Sequence, residues 1–489
     1  MKKINPKNNI KNYLKEYSYL KSIQSLLHWD METMMPNGAI NDRAQRLSYV
    51  QGKIHDHLVH PNYRKMLREF SSETKLSKVD KKLLEELKWD HKLQVALPKS
   101  YVEELSLATS HATHVWAKAR KASDYKLFLP HLQKLINLKR KESSYFKVHK
   151  PYDALLRLHD KEFNSDQMRS LFSDLRMGLI KLKGKIQPQS EFIKVKDLKG
   201  PFALEEQKKL SLKVARSFGL PEDFSRLDVS THPFSINISP LDQRITTRYD
   251  LEHLDSLSST MHEVGHALYE LNLPQEWEGT PFQEAISLSV HESQSRFWEN
   301  IVGRSKEFSH FIHPMMLEHF PKSMKGVDEQ KLFHYFNKSL PGLIRVESCE
   351  LYYNFHVIIR FEIEEMIFNQ NLNAKDLPHI WNEKYKSYLD LAPKNDAQGI
   401  LQDSHWAGGA FGYFPTYTLG NLISGSLYQK MKKEMPQFKK QISQGDFSQI
   451  LTYLKKNIHC KGRSVTARDI VGELRVEDYL NYLDEKFKG

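Results

Sequence analysis

Apolar residues recur at helical spacing along most of this 489-residue chain. The clearest stretches are residues 13–27, with Tyr13, Tyr17 and Leu20; residues 83–89, with Leu83, Leu84, Leu87 and Trp89; and residues 351–363, with Leu351, Phe355, Ile358, Ile359 and Ile363. A helix that buries one face repeats its apolar side chains about every three to four positions, whereas a strand alternates them. The spacing therefore predicts a mainly α fold with a large helical body.

A single segment, between residues 228 and 250, departs from helical spacing. Residues 234–238 and 244–249 are rich in β-branched and aromatic side chains, and residues 239–242 between them have the composition of a turn. This segment predicts a small antiparallel β-sheet, next to the most chemically distinctive helix of the chain.

The sequence shows no linker between residues 20 and 480, because it has no Gly/Ser run, no Pro-rich stretch and no long block of one charge. No repeat of fixed period occurs either. We therefore expect residues 1–489 to form a single domain, lobed around a cleft.

Composition argues against several classes of protein. The net charge of +12 invites a nucleic-acid partner, but basic residues are mixed with acidic ones, so a solvated basic surface is expected instead. No window offers the ~18 consecutive apolar residues that span a membrane. Two cysteines, Cys349 and Cys460, exclude a disulfide framework. The basic residues 1–9 are not followed by the apolar core of a secretory signal, so we expect a cytoplasmic protein.

The strongest chemical motif is His262-Glu263-Val264-Gly265-His266. Histidines at this spacing lie on one face of a helix, where both imidazoles can reach one metal ion. The bare pattern arises by accident in about one chain in ten of this composition. A third ligand is needed before the motif indicates a metal site.

Helical spacing resumes after a turn near residue 279, which predicts a helical hairpin over about residues 256–302. Zinc hydrolases keep three protein ligands and one open position. His262 and His266 lie roughly 10 Å from the end of their helix at a rise of ~1.5 Å per residue. Glu292 lies at a comparable depth on the returning helix and is the preferred third ligand.

Other side chains of the returning helix fit less well. Neighbours on a helix point about 100° apart, so His291 and Glu292 cannot both face the ion. Glu284 is too close to the start of the helix. Glu299 remains the alternative third ligand.

Two histidines and one carboxylate leave a zinc ion with net positive charge and an open position. Such an ion lowers the pKa of a water that it holds towards ~7 and polarises a peptide carbonyl. Glu263 follows the first histidine, where it can take the proton of the attacking water and deliver it to the leaving amine. The predicted reaction is peptide hydrolysis, with Zn²⁺ as the cofactor and Co²⁺ as an expected replacement.

Further motifs stand on both sides of this helix. They are Trp29-Asp30-Met31-Glu32-Thr33-Met34-Met35-Pro36, His232-Pro233-Phe234, Asp242-Gln243-Arg244-Ile245-Thr246, His291-Glu292-Ser293-Gln294-Ser295-Arg296 and Gly399-Ile400-Leu401-Gln402-Asp403-Ser404-His405-Trp406. With them the chain resembles, almost end to end, the zinc metallocarboxypeptidases of the carboxypeptidase Taq type. The resemblance implies a helical body around a deep groove, broad-specificity cleavage of the C-terminal residue, a homodimer, and Glu292 as the third zinc ligand.

Removal of one C-terminal residue requires a cation for the free carboxylate, and arginine binds carboxylate in a bidentate manner. The resemblance assigns this role to Arg345, through the family's I-R-x-x-A-D motif, with Arg244 as the alternative. A salt bridge to a nearby glutamate is the purely structural interpretation of Arg345. The motif here ends in Ser348-Cys349 instead of Ala-Asp, a departure expected to affect substrate affinity and exopeptidase preference but not the ligands or Glu263.

Aromatic residues follow His405 closely in the sequence. In related zinc peptidases a histidine and tyrosines beyond the zinc helices donate hydrogen bonds to the tetrahedral oxyanion, and preorganised donors of this kind are a large part of catalysis. The resemblance makes His405, Tyr413 and Tyr417 candidates for this role. The alternative is that they are core aromatic residues around a satisfied histidine.

Three other functions compete with that of a carboxypeptidase acting on peptides with a free C-terminus. A zinc oligopeptidase would use the same ion and base to cut inside short peptides. A catalytically inactive scaffold would keep the fold but has no chemical need for His262, Glu263, His266 and Glu292 together. A basic nucleic-acid binder would show a steep salt dependence of binding.

Overall fold

Helical spacing in the sequence corresponds to 21 α-helices in the computed structural model, which describes residues 5–186 and 190–488. The basic N-terminal segment was interpreted above as not being a secretory signal. Its residues 1–4 lie outside the described residues. Helices make up 69% of the structure, so the mainly α prediction is confirmed. None of the helices within the described ranges has the length and apolar character needed to cross a membrane.

The first four helices form a lobe with a small hydrophobic core of its own. They are α1 (Pro6–Thr33), α2 (Ile40–Val59), α3 (Pro61–Ser71) and α4 (Lys78–Ala96). Their core contains Ile10, Leu14, Ile54, Leu58, Tyr63, Leu67, Phe70, Leu83, Leu84 and Leu87, together with Phe282 from the rest of the chain. Helix starts follow local chemistry: the Asn5 side chain accepts from the Lys7 N–H, and Ser77 caps α4 through Asp80.

The remaining helices share a much larger hydrophobic core. Before the sheet lie α5 (Lys99–Ala122), α6 (Tyr125–Tyr145), α7 (Pro151–Leu156), α8 (Ser165–Ile186), α9 (Glu191–Lys194) and α10 (Leu204–Ser217).

The sheet has three strands, β1 (Ser225–Val229), β2 (Ser235–Ser239) and β3 (Asp242–Thr247), with β3 in the centre. β2 and β3 pair in antiparallel fashion, as the turn between them predicts. β1 pairs with β3 in parallel, so the expectation of a wholly antiparallel sheet is wrong and the sheet is mixed. β1 gave no strand signal because only Leu227 and Val229 of its five residues are apolar.

Two helices after the sheet form the expected hairpin. α11 (Asp255–Leu271) packs against β3, and α12 (Leu288–Arg296) returns beside it and continues as a π-helical turn, Phe297–Val302. The hairpin ends where the sequence predicts.

The rest of the chain packs around this hairpin. Its helices are α13 (Lys306–His319), α14 (Glu329–Phe336), α15 (Glu350–Asn369), α16 (Leu377–Leu389), α17 (Pro415–Glu434), α18 (Phe438–Gln444), α19 (Ser448–Asn457), α20 (Ala467–Val471) and α21 (Val476–Phe487). α17 lies directly against α12 and α15.

A groove of about 730 Å³ separates the N-terminal lobe from the main body. α1 and α4 line it on one side, and the edge strand β2 with residues 283–288 lines it on the other. His291 and Glu270, on the two helices of the hairpin, form part of its wall. The groove therefore adjoins the helices that carry the metal motif.

Arg463 joins the lobe to the body beside this groove. Its guanidinium lies 3.1 Å from Glu86 and also bonds Asp90, both on α4, while its Nη1 donates to Glu284 at 2.7 Å. Only 16% of the Arg463 side chain and 1% of the Glu86 side chain are exposed. Arg463 and Glu86 are therefore poorly hydrated, whereas the side chains of Asp90 and Glu284 are 31% and 45% exposed.

We expect Arg463→Ala to lower the free energy of unfolding by about 2 kcal/mol, because Asp90 and Glu284 lose their cation while the buried Glu86 keeps Lys82 at 2.9 Å and Lys161. Denaturant unfolding followed by tryptophan fluorescence measures the change. Arg468→Ala is the matched control, since that arginine is 73% exposed and forms a 3.4 Å surface pair with Glu473; its change should stay within about 0.5 kcal/mol. Equal costs for the two substitutions would contradict the role of Arg463.

Candidate metal centre

His262 and His266 on α11 and Glu292 on α12 bring their ligand atoms to within 4.8 Å of one another. Nε2 of His266 lies 3.5 Å from Oε2 of Glu292, and Nε2 of His262 lies 3.8 Å from the same oxygen. Ligands about 2.0–2.2 Å from one tetrahedral ion are separated by roughly 3.3–3.6 Å. The three side chains therefore fit one zinc-sized ion, and they form the one cluster of this kind among the described residues.

Two glycines permit this close arrangement of helices. A Cβ on Gly265, inside the histidine motif, would lie 2.6 Å from the Gln294 carbonyl oxygen on α12. A Cβ on Gly420 of α17 would lie 2.7 Å from Cγ of Glu292. α11 and α17 can therefore approach the carboxylate-bearing helix only because these positions lack a side chain.

Burial determines the protonation states of His266 and Glu263. Burial lowers the pKa of His266 to about 3, so its imidazole is neutral and offers a lone pair. Burial raises the pKa of Glu263 to about 7, against the opposing effect of His262. A carboxyl group with a pKa near neutrality can both accept and return a proton, which suits the expected general base.

Glu299, the alternative third ligand, lies on the far side of His262. Its Oε2 is 2.9 Å from Nδ1 of His262, not beside the Nε2 that faces Glu292. Arg296 bridges the two carboxylates: its Nε donates to Glu292 at 2.7 Å and its Nη1 to Glu299 at 3.3 Å. Burial acts to raise the pKa of Glu292, but Arg296 and the two histidines lower it more strongly. The pKa of Glu292 therefore lies far below its usual range.

The three oxyanion candidates lie together. Nε2 of His405 is 2.9 Å from the Tyr417 hydroxyl, and the rings of Tyr413 and Tyr417 are 5.4 Å apart. Burial and then the charge of Glu292 raise the pKa of Tyr413 to about 12. Burial, with Arg345, lowers the pKa of His405 to about 3. The cluster is therefore a neutral set of hydrogen-bonding groups within electrostatic reach of the metal site.

Glu364, which sequence analysis missed, anchors the loop that carries His405 and Tyr413. Its buried carboxylate accepts from Trp406 Nε1 at 2.7 Å and from the Gly412 N–H at 2.8 Å. These two contacts hold the loop at both ends. The sequence did offer a sign of this role: a glutamate inside the apolar helix α15 is expected to be buried and to need hydrogen-bond donors.

Arg345 is buried, with 6% of its side chain exposed, and shares Asp403 with a second arginine, Arg360, which is fully buried. Nε of Arg345 donates to Asp403 Oδ1 at 3.0 Å and its Nη1 donates to the Tyr353 hydroxyl at 2.7 Å. The Arg345 guanidinium also lies 4.9 Å from the ring centre of Tyr417. Arg345 thus lies beside the oxyanion candidates, and its salt bridge is to Asp403, not to a nearby glutamate.

Neither Asp403 nor Arg360 was identified from the sequence as a member of this ion group. Asp403 is part of a motif noted for His405, and Arg360 stands in the nearly continuous apolar run of α15. A buried charge in such a run needs an opposite charge, and this signal could have pointed to the pair.

Arg244 lies elsewhere, on β3. It forms a bidentate ion pair with Asp242 at 2.8 to 2.9 Å and lies 4.3 Å above the ring of Trp29 in the N-terminal lobe. Within the described ranges it makes no hydrogen bond or ion pair with the residues of the metal cluster. The structure therefore brings Arg345, but not Arg244, against Tyr417, one of the two tyrosines predicted to be catalytic.

The Ser348-Cys349 departure lies at the start of α15. Cys349 is the N-cap residue and makes no side-chain cap; its sulfur lies 3.7 Å from Ser339 Oγ. Burial raises the pKa of the Cys349 thiol against the opposing effects of the Tyr352 backbone N–H and the Ser339 side chain. The helix that carries Arg360 therefore begins at a thiol that provides no side-chain cap, whereas an aspartate at an N-cap can accept from the first N–H groups of a helix.

Comparison with known proteins supports the class of protein that these features define. A protein-family model described as Carboxypeptidase Taq (M32) metallopeptidase matches residues 9–487. The chain is 34% identical to thermostable carboxypeptidase 1 of Pyrococcus furiosus over 100% of both chains. It is also 34% identical to carboxypeptidase 1 of Bacillus subtilis, covering 97% of this chain and 96% of that one. Among solved structures, Trypanosoma cruzi metallocarboxypeptidase 1 superimposes with a TM-score of 0.93 at 33% identity, with 99% of each chain covered.

The fold is mainly helical, has a histidine–carboxylate cluster beside a groove and is matched along its whole length by these relatives. These features define a metallopeptidase. The chain belongs to the carboxypeptidase Taq family of metallopeptidases. It is accordingly a hydrolase, a metallocarboxypeptidase whose family implies a metal ion and peptide substrates.

We expect Gly420→Ala to lower the free energy of unfolding by about 1–3 kcal/mol and to weaken metal binding, because the new methyl group would push against Glu292. Chemical denaturation and a zinc titration measure the two effects. Gly52→Ala, in α2, is the control, because nothing lies within 4 Å of its added Cβ; it should be neutral or slightly stabilising. An unchanged metal affinity in Gly420→Ala would show that Glu292 does not depend on this contact.

Proposed function

We propose that this chain is a zinc-dependent metallocarboxypeptidase of broad specificity that hydrolyses the C-terminal peptide bond. The observation that carries the proposal is the buried group of Arg345, Asp403 and Arg360. It contains two guanidinium groups and one carboxylate, next to the tyrosines that flank the metal cluster.

The positive charge of this group is only partly neutralised. Burial acts to raise the pKa of Asp403, but Arg345 and Arg360 hold it far below its usual range, so Asp403 is ionised. Two guanidinium groups and one carboxylate then give the group one net positive charge. A net charge in a poorly hydrated place is costly unless a counter-charge arrives. The terminal carboxylate of a peptide would supply that counter-charge, and because all peptides share it, recognition through Arg345 is independent of the side chain.

Hydrolysis then follows from the residues around the three ligands. His262, His266 and Glu292 would hold zinc, which when bound supplies Lewis acidity and an acidified water. Glu263 takes a proton from the attacking water and returns it to the leaving amine. His405, Tyr413 and Tyr417 supply neutral hydrogen-bonding groups for the developing oxyanion.

The rival functions are less well supported. An oligopeptidase has no use for the excess positive charge at Arg345, since an internal peptide bond brings no carboxylate. A nucleic-acid partner is disfavoured because the groove wall mixes Lys21, Lys161 and Arg157 with Glu162 and Glu284. The homodimer, the single domain over residues 1–489, the cytoplasmic location and the use of Co²⁺ in place of Zn²⁺ stay predictions.

The first test is release of C-terminal amino acids from a mixed peptide set by native, chelated and zinc-restored protein. We expect stepwise release that stops on chelation and returns with zinc. Glu263→Gln should lose activity by about two to four orders of magnitude, because the proton acceptor is gone. The same variant should still bind zinc, since the three ligands remain. Internal cleavage with the same metal dependence would instead indicate the oligopeptidase.

A second test concerns the carboxylate. Amidation of the peptide C-terminus, or Arg345→Met with the unmodified peptide, should lower kcat/KM by about tenfold to hundredfold, because a charge-assisted hydrogen bond is lost. The amidated peptide should lose nothing further in Arg345→Met. Arg244→Met is the comparison variant. If it, and not Arg345→Met, abolishes the preference for the free acid, the carboxylate-binding arginine is Arg244.

A further inference from the structure

His262 makes a hydrogen-bonded contact through the ring nitrogen that does not face Glu292. Its Nδ1 lies 2.9 Å from Oε2 of Glu299, and both side chains are mostly buried, with 18% and 10% exposed. An acceptor at Nδ1 fixes the proton on that atom and leaves the lone pair on Nε2. Glu299 therefore determines both the tautomer and the ring orientation of His262.

Glu299 is itself held from two sides. Arg304 Nη2 donates to its Oε1 at 2.8 Å, and Arg296 Nη1 lies 3.3 Å from its Oε2. The π-helical turn places Arg304 above Glu299, since in this turn the chain bonds five residues back, as from the Gly303 N–H to the Trp298 carbonyl at 2.9 Å. Such turns recur at functional sites because they redirect a side chain that an α-helix would place elsewhere.

His266 is oriented differently. Its Nδ1 is buried and has no hydrogen-bond partner among the described residues. Its ring instead stacks on His291, with ring centres 4.3 Å apart and an angle of 15° between the planes. Of the two histidines, only His262 has its tautomer fixed by a carboxylate.

We propose that Glu299 is a positioning residue that fixes His262 with its Nε2 lone pair towards the metal position, and that Arg296 couples it to Glu292. The inference rests on the proposed function in taking His262 as a ligand. It differs from the earlier alternative, in which Glu299 is itself a ligand. It predicts that the reach of residue 299, more than its charge, sets the affinity for metal.

Two substitutions at this position separate reach from charge. Glu299→Asp keeps a carboxylate near Arg296 and Arg304 but is shorter by one methylene, so it loses contact with Nδ1. Glu299→Gln keeps the length and an oxygen that can accept from Nδ1–H, but loses the charge. A positioning role makes the Asp variant the weaker metal binder; a purely electrostatic role makes the Gln variant the weaker.

The experiment is a zinc titration of the metal-free full chain against a chromophoric chelator, with the melting temperature of the metal-free protein measured in parallel. We expect Glu299→Asp to bind zinc about tenfold to hundredfold more weakly than the unsubstituted protein, and Glu299→Gln to bind more tightly than Glu299→Asp. Glu206→Gln is the matched control, because Glu206 bonds Nδ1 of His319 at 2.6 Å in the same kind of pair away from the ligands. Its zinc affinity should not change.

Absorption spectra of the cobalt-loaded variants complete the test. We expect Glu299→Asp to keep the band pattern of the unsubstituted protein, whereas Glu292→Gln should change it. Wild-type affinity in Glu299→Asp, the reverse order of the Asp and Gln variants, or a cobalt spectrum altered as in Glu292→Gln would each overturn the inference. Absence of zinc binding in the unsubstituted protein would instead contradict the proposed function, so the two failures are distinguishable.

Discussion

Charge buried beside the groove has to be neutralised, and the arrangement of the site follows from this requirement. Glu292 and Glu299 share Arg296, Glu299 also has Arg304, and Asp403 is shared by two arginines. An isolated ion in such a place would cost several kcal/mol, so each of these side chains fixes the position of its partner. The helices that carry them are thereby held in one relative arrangement.

The balance of these charges differs between two parts of the site. The metal side pairs Glu292 and Glu299 with Arg296 and Arg304, so an ionised Glu263 gives it one carboxylate in excess, which suits a cation. The side of Arg345 and Arg360 holds an excess of guanidinium, which suits an anion. A peptide that binds with its terminal carboxylate at Arg345 would therefore present its last amide bond towards the metal ligands. Opposite excesses at neighbouring positions are the electrostatic basis of the exopeptidase function proposed here.

Close helix packing and the position of the groove, as well as charge pairing, determine the shape of the site. Gly265 and Gly420 let three helices meet around Glu292 without intervening side chains. The N-terminal lobe has its own hydrophobic core and lies across the groove from the hairpin, joined to the body by Arg463. The lobe can thus form one wall of a substrate channel while the rigid packing of the ligands remains within the main body.

The sequence by itself determined the helical class, the β2–β3 hairpin, the helical hairpin of α11 and α12 and the preference for Glu292 over Glu284. These features depend on local periodicity and on distances along a helix, which the order of residues specifies directly. Only the tertiary structure decided that Arg345 and Arg360 share Asp403, that Arg244 lies against Trp29, that β1 joins the sheet in parallel, and that Glu299 contacts Nδ1 of His262. Those contacts join segments far apart in the chain, or depend on how a π-helical turn redirects a side chain. No local pattern encodes them, because the packing that creates them involves the whole core.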